Sequence, residues 1–144
     1  MKVSGLRLKN KKYVKIKQIL KGESMKFKVK KPIPGFENIN EVELNKIDES
    51  IAVLKDNEGK VLFSLINPFV LREYSFDVPA DVKVLLDINE NSNIEVYNNI
   101  VMKEPVTESI VNFKAPFLFN IDNKTCAQVI LDNEKFAKLG DFTK

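Results

Sequence analysis

The stretch VNFKAPFLFNI (Val111–Ile121) contains two apolar, strand-like runs separated by Lys-Ala-Pro. Alternate residues on both sides of the break are apolar and would share one face of a strand: Val111, Phe113, Ala115, Phe117, Phe119 and Ile121. Pro116 has no N–H to donate to a ladder, so it belongs at an edge or a bulge. The stretch therefore predicts a strand that bends at Lys-Ala-Pro, as at the corner of a barrel.

Short strands with a period of two dominate the chain from Met25 onward. Asp56-Asn57-Glu58-Gly59 separates two apolar runs and predicts a hairpin, with a glycine available for positive φ. The remaining candidate strands lie near residues 27–29, 42–47, 51–55, 60–66, 74–78, 94–102, 111–121 and 125–131. Strands of this length, separated by turns, are typical of an antiparallel barrel or sandwich.

One segment has helical character. Pro79 can open a helix because the first turn needs no N–H from it, and Val82, Leu85 and Leu86 recur at helical spacing. We therefore predict a mainly β fold, a small antiparallel β-barrel-like domain with one short helix that covers part of the sheet.

Charge divides the chain into two parts. Residues 1–24 carry eight Lys/Arg and one acidic residue, a net charge of +7, whereas residues 25–144 carry 15 basic and 19 acidic residues, a net charge of −4. We predict that residues 1–24 form a basic tail, either disordered or the product of an upstream start, and that residues 25–144 form the barrel domain. A third interpretation makes the tail a nucleic-acid-binding or membrane-binding arm.

The upstream-start interpretation ranks first and predicts that the protein made in its host begins at Met25. Codons for Lys-Gly-Glu, which stand just before Ser24-Met25, can spell a ribosome-binding site, and Met25 opens the first candidate strand. Intact-mass analysis of natively expressed protein should then give a chain of residues 25–144, and a mass that includes Met1 would contradict the hypothesis.

The residue types that most chemistry needs are scarce. The chain has no histidine and a single cysteine, Cys126, inside an apolar run, where a small core residue is the usual interpretation. A Cys–His nucleophile pair is impossible, and neither a phosphate-binding glycine loop nor a metal-loop spacing of carboxylates occurs. We expect no catalytic residues, no cofactor and no metal site. A lone cysteine fits a reducing compartment, so we predict a cytoplasmic protein.

Three segments together resemble the flagellar assembly factor FliW family: PIPGFENINEVEL, FSLINPFVLREYSFDV and VNFKAPFLFNIDNKTCAQVIL. The pattern is Gly-Phe-Glu after the first strand, Asn-Pro-Phe leading to Tyr-x-Phe, and Val-Asn-x-x-Ala-Pro before a final Gln-Val-Ile-Leu. The resemblance runs from about Met25 to Asp132. It departs from the family pattern at Leu71-Arg72-Glu73, and the first 24 residues lie outside it.

The resemblance implies a non-catalytic protein that binds two protein partners in the cytoplasm. One is flagellin, bound through its helical terminal region. The other is CsrA, a basic RNA-binding dimer that blocks translation of flagellin message. In this scheme accumulated flagellin occupies the FliW-like protein, and export of flagellin frees it to bind CsrA and lift the block. We expect a monomer that binds no nucleic acid and no membrane directly.

Six polar or exposed positions among the matching motifs are the predicted partner-binding residues: Glu37, Asn67, Phe69, Asn112, Lys114 and Asn120. Each has a structural alternative, since turn residues and outward-facing strand residues are often merely solvated. Two other functions stay open at this point. One is a small-barrel RNA-binding module that uses the basic tail, and the other is a hydrolase.

Overall fold

A computed structural model describes residues 23–142, and residues 2–9 through their backbone. Its strands are β1 (Lys2–Lys9), β2 (Ser24–Val29), β3 (Glu41–Lys46), β4 (Ile51–Lys55), β5 (Val61–Ile66), β6 (Ser75–Pro79), β7 (Ile94–Val101), β8 (Ile110–Asn112), β9 (Phe117–Asn120), β10 (Thr125–Gln128) and β11 (Phe136–Lys138). One α-helix, α1, spans Ala80–Leu86. Single 3₁₀ turns occupy Pro68–Val70, Val106–Glu108 and Leu139–Phe142.

Seven strands form a closed barrel in the order β7-β5-β4-β3-β2-β10-β9, and the pairing of β9 with β7 closes it. The predicted mainly β, barrel-like fold with one short helix is thereby confirmed. One pairing departs from the antiparallel expectation, because β10 runs parallel to β2. Between β2 and β10 the chain forms the other strands of the barrel. A pairing between two strands so far apart in sequence leaves no local turn signal by which it could be predicted.

The break at Lys-Ala-Pro is a corner. β8 pairs with the end of β7 and with β11, whereas β9 pairs with the start of β7 and with β10. Between them the carbonyl groups of Lys114 and Pro116 accept hydrogen bonds from the N–H groups of Leu131 and Val129, at 2.6 and 2.8 Å. The proline therefore stands where the strand leaves one partner for another, as its missing donor requires.

Two hydrophobic cores lie on opposite sides of the barrel wall. The inner core fills the barrel and contains Phe27, Ile33, Val42, Leu44, Ala52, Leu54, Leu65, Tyr97, Phe117, Phe119, Ile121 and Cys126. Cys126 is 1% exposed, as the sequence predicts for a core residue, and burial raises the pKa of its thiol to about 12.

The outer core covers the outside of β7, β9 and β10 beneath β6, α1, β8 and β11. It contains Ile66, Tyr74, Phe76, Val78, Val82, Leu86, Ile88, Val96, Ile100, Val111, Phe113, Leu118, Ala127, Val129 and Leu131. β9 is consequently buried on both faces, including Leu118 at 0% exposure. The expectation that the alternate apolar residues on both sides of the break share one face is wrong, because Val111 and Phe113 lie in the outer core, whereas Phe117, Phe119 and Ile121 lie in the inner core.

Helix α1 begins after Pro79, which is the residue before its first turn rather than within it. Val82 and Leu86 are fully buried, but Leu85 is 37% exposed, so the predicted three-residue apolar face has two buried members. The sequence also gave no signal for β11, because it is three residues long and its Phe136 is 56% exposed.

Outside the barrel, β1 pairs antiparallel with β6. The predicted basic tail covers residues 1–24. Of these, the structure describes Lys2–Lys9 as β1, Glu23 as the residue before β2, and Ser24 as the first residue of β2. Residues 10–22 lie outside the described part, so the division at Met25 stays a prediction. No helix in the described ranges is long and apolar enough to cross a membrane.

Candidate partner-binding surface

An aromatic cluster joins the segment before β6 to the β8–β9 corner. We give this name to Phe69, Tyr74, Phe76, Phe113 and Phe142. The Tyr74 ring lies 6.1, 5.6 and 5.3 Å from the rings of Phe69, Phe76 and Phe113, and Phe142 lies 5.7 Å from Phe113. The Tyr74 hydroxyl donates to the Phe113 carbonyl oxygen at 2.7 Å. This bond holds the segment before β6 against the β8–β9 corner.

Arg72 lies over this cluster. Its guanidinium is 5.2 Å from the Tyr74 ring centre and 4.8 Å from that of Phe113. The same group donates to both carboxylate oxygens of Glu134, at 3.1 and 3.4 Å. A planar guanidinium can stack on rings and bind a carboxylate at once. Burial raises the pKa of the Tyr74 hydroxyl, so that group stays a neutral donor at physiological pH.

Four of the six predicted residues belong to this cluster or lie beside its members in the chain. Asn67 accepts the N–H of Phe69 at 2.9 Å and begins the 3₁₀ turn at Pro68, while Phe69 itself packs half-buried against the outer core. Asn112 accepts the N–H of Lys114 at 2.9 Å, and both are half-buried. Both asparagines therefore shape turns with their side-chain oxygens, and they border one surface.

Glu37 lies on an exposed loop elsewhere. Its carboxylate accepts the N–H of Gly35 at 3.0 Å, and this bond lowers the pKa of Glu37. Gly35 has φ +86°, which favours glycine there. The ring of neighbouring Phe36 lies 5.3 Å from Phe63. Glu37 thus presents a fixed negative charge on its own loop, apart from the aromatic cluster.

Asn120 is the misplaced member of the set. It is 1% exposed, donates from Nδ2 to the Leu86 carbonyl oxygen at 2.8 Å, and accepts the N–H of Asp122 at 3.0 Å. The expectation that Asn120 is exposed is wrong, because α1 covers this end of β9. Its side-chain amide therefore supplies a donor to a carbonyl group at the end of α1 and an acceptor to an N–H group of the β9–β10 turn.

Replacing Asn120 by alanine should lower the free energy of unfolding by about 1–3 kcal/mol, because buried partners lose their hydrogen bonds. Chemical denaturation measures this loss. Asn91→Ala, at an exposed loop position, is the matched control and should change stability by less than about 0.5 kcal/mol. A stable Asn120→Ala protein with altered partner binding would instead return Asn120 to the binding surface.

The sequence does not predict two features of this region. Arg72 stands where the sequence departs from the family pattern, and it bridges Glu134 and the aromatic cluster. Asn98 is 0% exposed, and its amide nitrogen and oxygen make no hydrogen bond of regular geometry within the described residues, although the side chain lies close enough to the Tyr74 hydroxyl to act on its pKa. The polar pair Asn98-Asn99 inside an otherwise apolar strand is the sequence signal from which a buried asparagine could have been predicted.

The comparison with protein families decides the chain's affiliation. The model of the family described as "FliW protein" matches residues 10–138. The chain belongs to the FliW family. All three motif segments lie within the match, which confirms the resemblance. The match begins at residue 10, so the expectation that all of residues 1–24 lie outside the family pattern is wrong for residues 10–24.

Curated relatives of the FliW family resemble this chain along most of their length. Flagellar assembly factor FliW 2 of Wolinella succinogenes is 44% identical over 117 residues, 81% of this chain and 86% of that protein. FliW 1 of the same organism is 46% identical over 108 residues, 74% and 84% of the two chains. Flagellar assembly factor FliW of Sulfurimonas denitrificans is also 46% identical over 108 residues, 74% and 86%.

A solved structure has the same fold. The crystal structure of the flagellar assembly factor FliW superposes with a TM-score of 0.73, covering 79% of this chain and 84% of its own. The sequence identity in this comparison is 24%. The similarity therefore supports the architecture, a closed barrel with a covering helix, and assigns no role to individual residues.

Proposed function

We propose that this FliW-family protein binds flagellin and the repressor CsrA and thereby couples the flagellin level to flagellin synthesis. The observation that carries the proposal is the family match over residues 10–138, with relatives that are flagellar assembly factors. In this scheme it acts in the cytoplasm as a binding protein and carries out no catalysis. Free protein sequesters CsrA, and flagellin displaces CsrA when it accumulates.

Electrostatics support the assignment of a basic partner. Residues 25–144 carry a net charge of −4, whereas the full chain carries +3 because of its basic first 24 residues. Complementary charge between residues 25–144 and a basic partner steers association more than it raises affinity. The association rate with CsrA should therefore fall as salt rises, while dissociation changes less. Surface plasmon resonance across a salt series, with immobilised full-length chain, measures both rates.

Glu37→Lys should weaken CsrA binding about tenfold, equivalent to about 1.4 kcal/mol. The side chain is exposed and outside both cores, so stability should change little. Calorimetric titration of CsrA into the full-length variant measures the affinity. Glu37→Gln keeps an acceptor for the Gly35 N–H but removes the charge, and it should have an intermediate affinity.

The matched control for this substitution is Glu58→Lys. Glu58 is an exposed residue of the β4–β5 hairpin and has the same charge. Its substitution should leave the affinity for CsrA within about twofold, since a single remote surface charge is largely screened. Equal losses for both variants would show that net charge, and not the Glu37 loop, controls binding.

The second candidate function is RNA binding through the basic segment, and the net charge of +7 on residues 1–24 is the observation that favours it. Gel-shift of the full chain with flagellin leader RNA, with and without CsrA, separates the two. The first proposal predicts no shift by this protein alone and release of RNA from CsrA. A salt-sensitive shift by this protein alone would favour the second.

A further inference from the structure

Asn98 is a polar side chain enclosed by the outer core. It lies on β7 between Val96 and Ile100, which share its face of the strand and belong to that core. The side chain is 0% exposed, and within the described residues its amide nitrogen and oxygen make no hydrogen bond of regular geometry. A buried amide in this state destabilises the form of the protein that buries it.

The Tyr74 hydroxyl is a polar neighbour of Asn98 that cannot satisfy the whole amide. Burial raises the pKa of this hydroxyl, and the adjacent Asn98 side chain opposes that shift. A tyrosine hydroxyl has one proton to donate, and here the Phe113 carbonyl oxygen accepts it at 2.7 Å. The Asn98 oxygen therefore receives no proton from Tyr74 as long as the Tyr74–Phe113 bond is made.

Residues 67–74, between β5 and β6, cover Asn98 on the outer side of β7. Ile66, the residue before this segment, pairs with Asn98 in the register of β5 and β7. The 3₁₀ turn Pro68–Val70 lies against β7, and Tyr74 is the last residue of the segment. The segment thus begins and ends beside Asn98, so that its displacement would open a path for water to the buried amide.

The backbone hydrogen bonds of the turn close within this segment. The N–H of Val70 donates to the Asn67 carbonyl oxygen at 3.3 Å, and those of Leu71 and Arg72 donate to the Pro68 carbonyl oxygen at 3.0 and 3.3 Å. These bonds can break without disturbing the strand pairings of the barrel. Val70 is also 51% exposed. Segments with such bonds can open locally at a lower free energy than global unfolding requires.

We propose that residues 67–74 form a lid that opens by local unfolding, and that the enclosed Asn98 amide sets how often the lid opens. In the open form water reaches Asn98 and the rings of Phe69 and Tyr74, while the barrel stays closed. An apolar side chain at position 98 would remove the penalty from the closed form and hold the lid shut. This device does not depend on the identity of the partners proposed above.

Native-state hydrogen exchange of the full-length chain, followed by NMR in a series of low urea concentrations, tests the proposal. The amides of Val70, Leu71 and Arg72 report on the lid, and the Val53 amide in the central strand β4 reports on global unfolding. The lid amides should exchange at least about tenfold faster than Val53. Their exchange should also depend little on urea, since local opening exposes little surface. A urea dependence equal to that of Val53 would mean that the segment opens only with the whole fold, and the proposal would then be wrong.

Asn98→Leu tests the role of the amide, and it should slow the exchange of the three lid amides at least about tenfold, because the closed form no longer buries an unpaired polar group. Asn99→Leu is the matched control. It places the same side chain on the opposite face of β7 and should leave lid exchange within about twofold. Faster lid exchange in Asn98→Leu would show that the amide stabilises the closed lid, which contradicts the proposal. Should Asn98→Leu not fold, the urea dependence in the unmodified chain decides.

Discussion

Phe119→Ala should lower the free energy of unfolding by about 3–5 kcal/mol, the range for removing a large buried aromatic side chain. Phe119 is fully buried in the inner core. Its ring centre lies 5.0 Å from that of Phe27, 6.1 Å from Tyr97 and 6.2 Å from Phe117. The alanine would leave a cavity among these rings of β2, β7 and β9, which cannot collapse without moving β9.

Chemical denaturation of the full-length variant measures this loss, and Phe113→Ala should show a similar one through the outer core, where Phe113 is 1% exposed. Lys114→Ala is the matched control beside Phe113. Its side chain belongs to neither core, so stability should change by less than about 0.5 kcal/mol. Equal, large losses at Phe119 and Lys114 would refute the assignment of residues to the interior and the surface.

The strands that could be predicted are those whose burial has a period of two. β4 and β5 flank a hairpin in which Gly59 has φ +86°, and Tyr74, Phe76 and Val78 alternate into one core. The second buried face of β9 could not be predicted, because a strand that is buried on both faces loses its alternation. Pairings between distant segments, such as β10 with β2, leave no local trace.

The candidate surface could be predicted in part for a similar reason. Asn67 and Asn112 lie in turn motifs whose geometry depends on neighbouring residues in the chain, and the structure shows both bonds. Asn120 occupies an apparently similar place, yet a helix distant in sequence buries it. The Arg72–Glu134 ion pair joins residues 62 positions apart, and only the folded chain brings them together.

Flagellin and CsrA are expected to exclude one another on this protein. A reporter of the flagellin level must bind the repressor less well when flagellin is bound, and linkage makes the effect reciprocal. If exclusion is complete, the apparent dissociation constant for CsrA rises linearly with the concentration of free flagellin. Flagellin at ten times its own dissociation constant therefore weakens CsrA binding about elevenfold, or by about 1.4 kcal/mol.

The exclusion needs no direct overlap of the two binding surfaces. The loop of Glu37 and the surface around the aromatic cluster are separate, but β9 begins at Phe117 immediately after the corner, and Phe117 lies 5.3 Å from Phe63, which contacts Phe36. The two partners either compete at one surface, or the binding of one partner weakens the binding of the other at a separate surface. Glu37→Lys distinguishes these cases, since direct overlap predicts that the substitution weakens the binding of both partners.

A competition titration of the full-length protein tests the central claim most directly. CsrA is titrated calorimetrically at several fixed flagellin concentrations, and the roles are then exchanged. The account predicts that each partner's apparent dissociation constant rises linearly with the concentration of the other, without a plateau. A stable ternary complex, with both affinities unchanged, would contradict it.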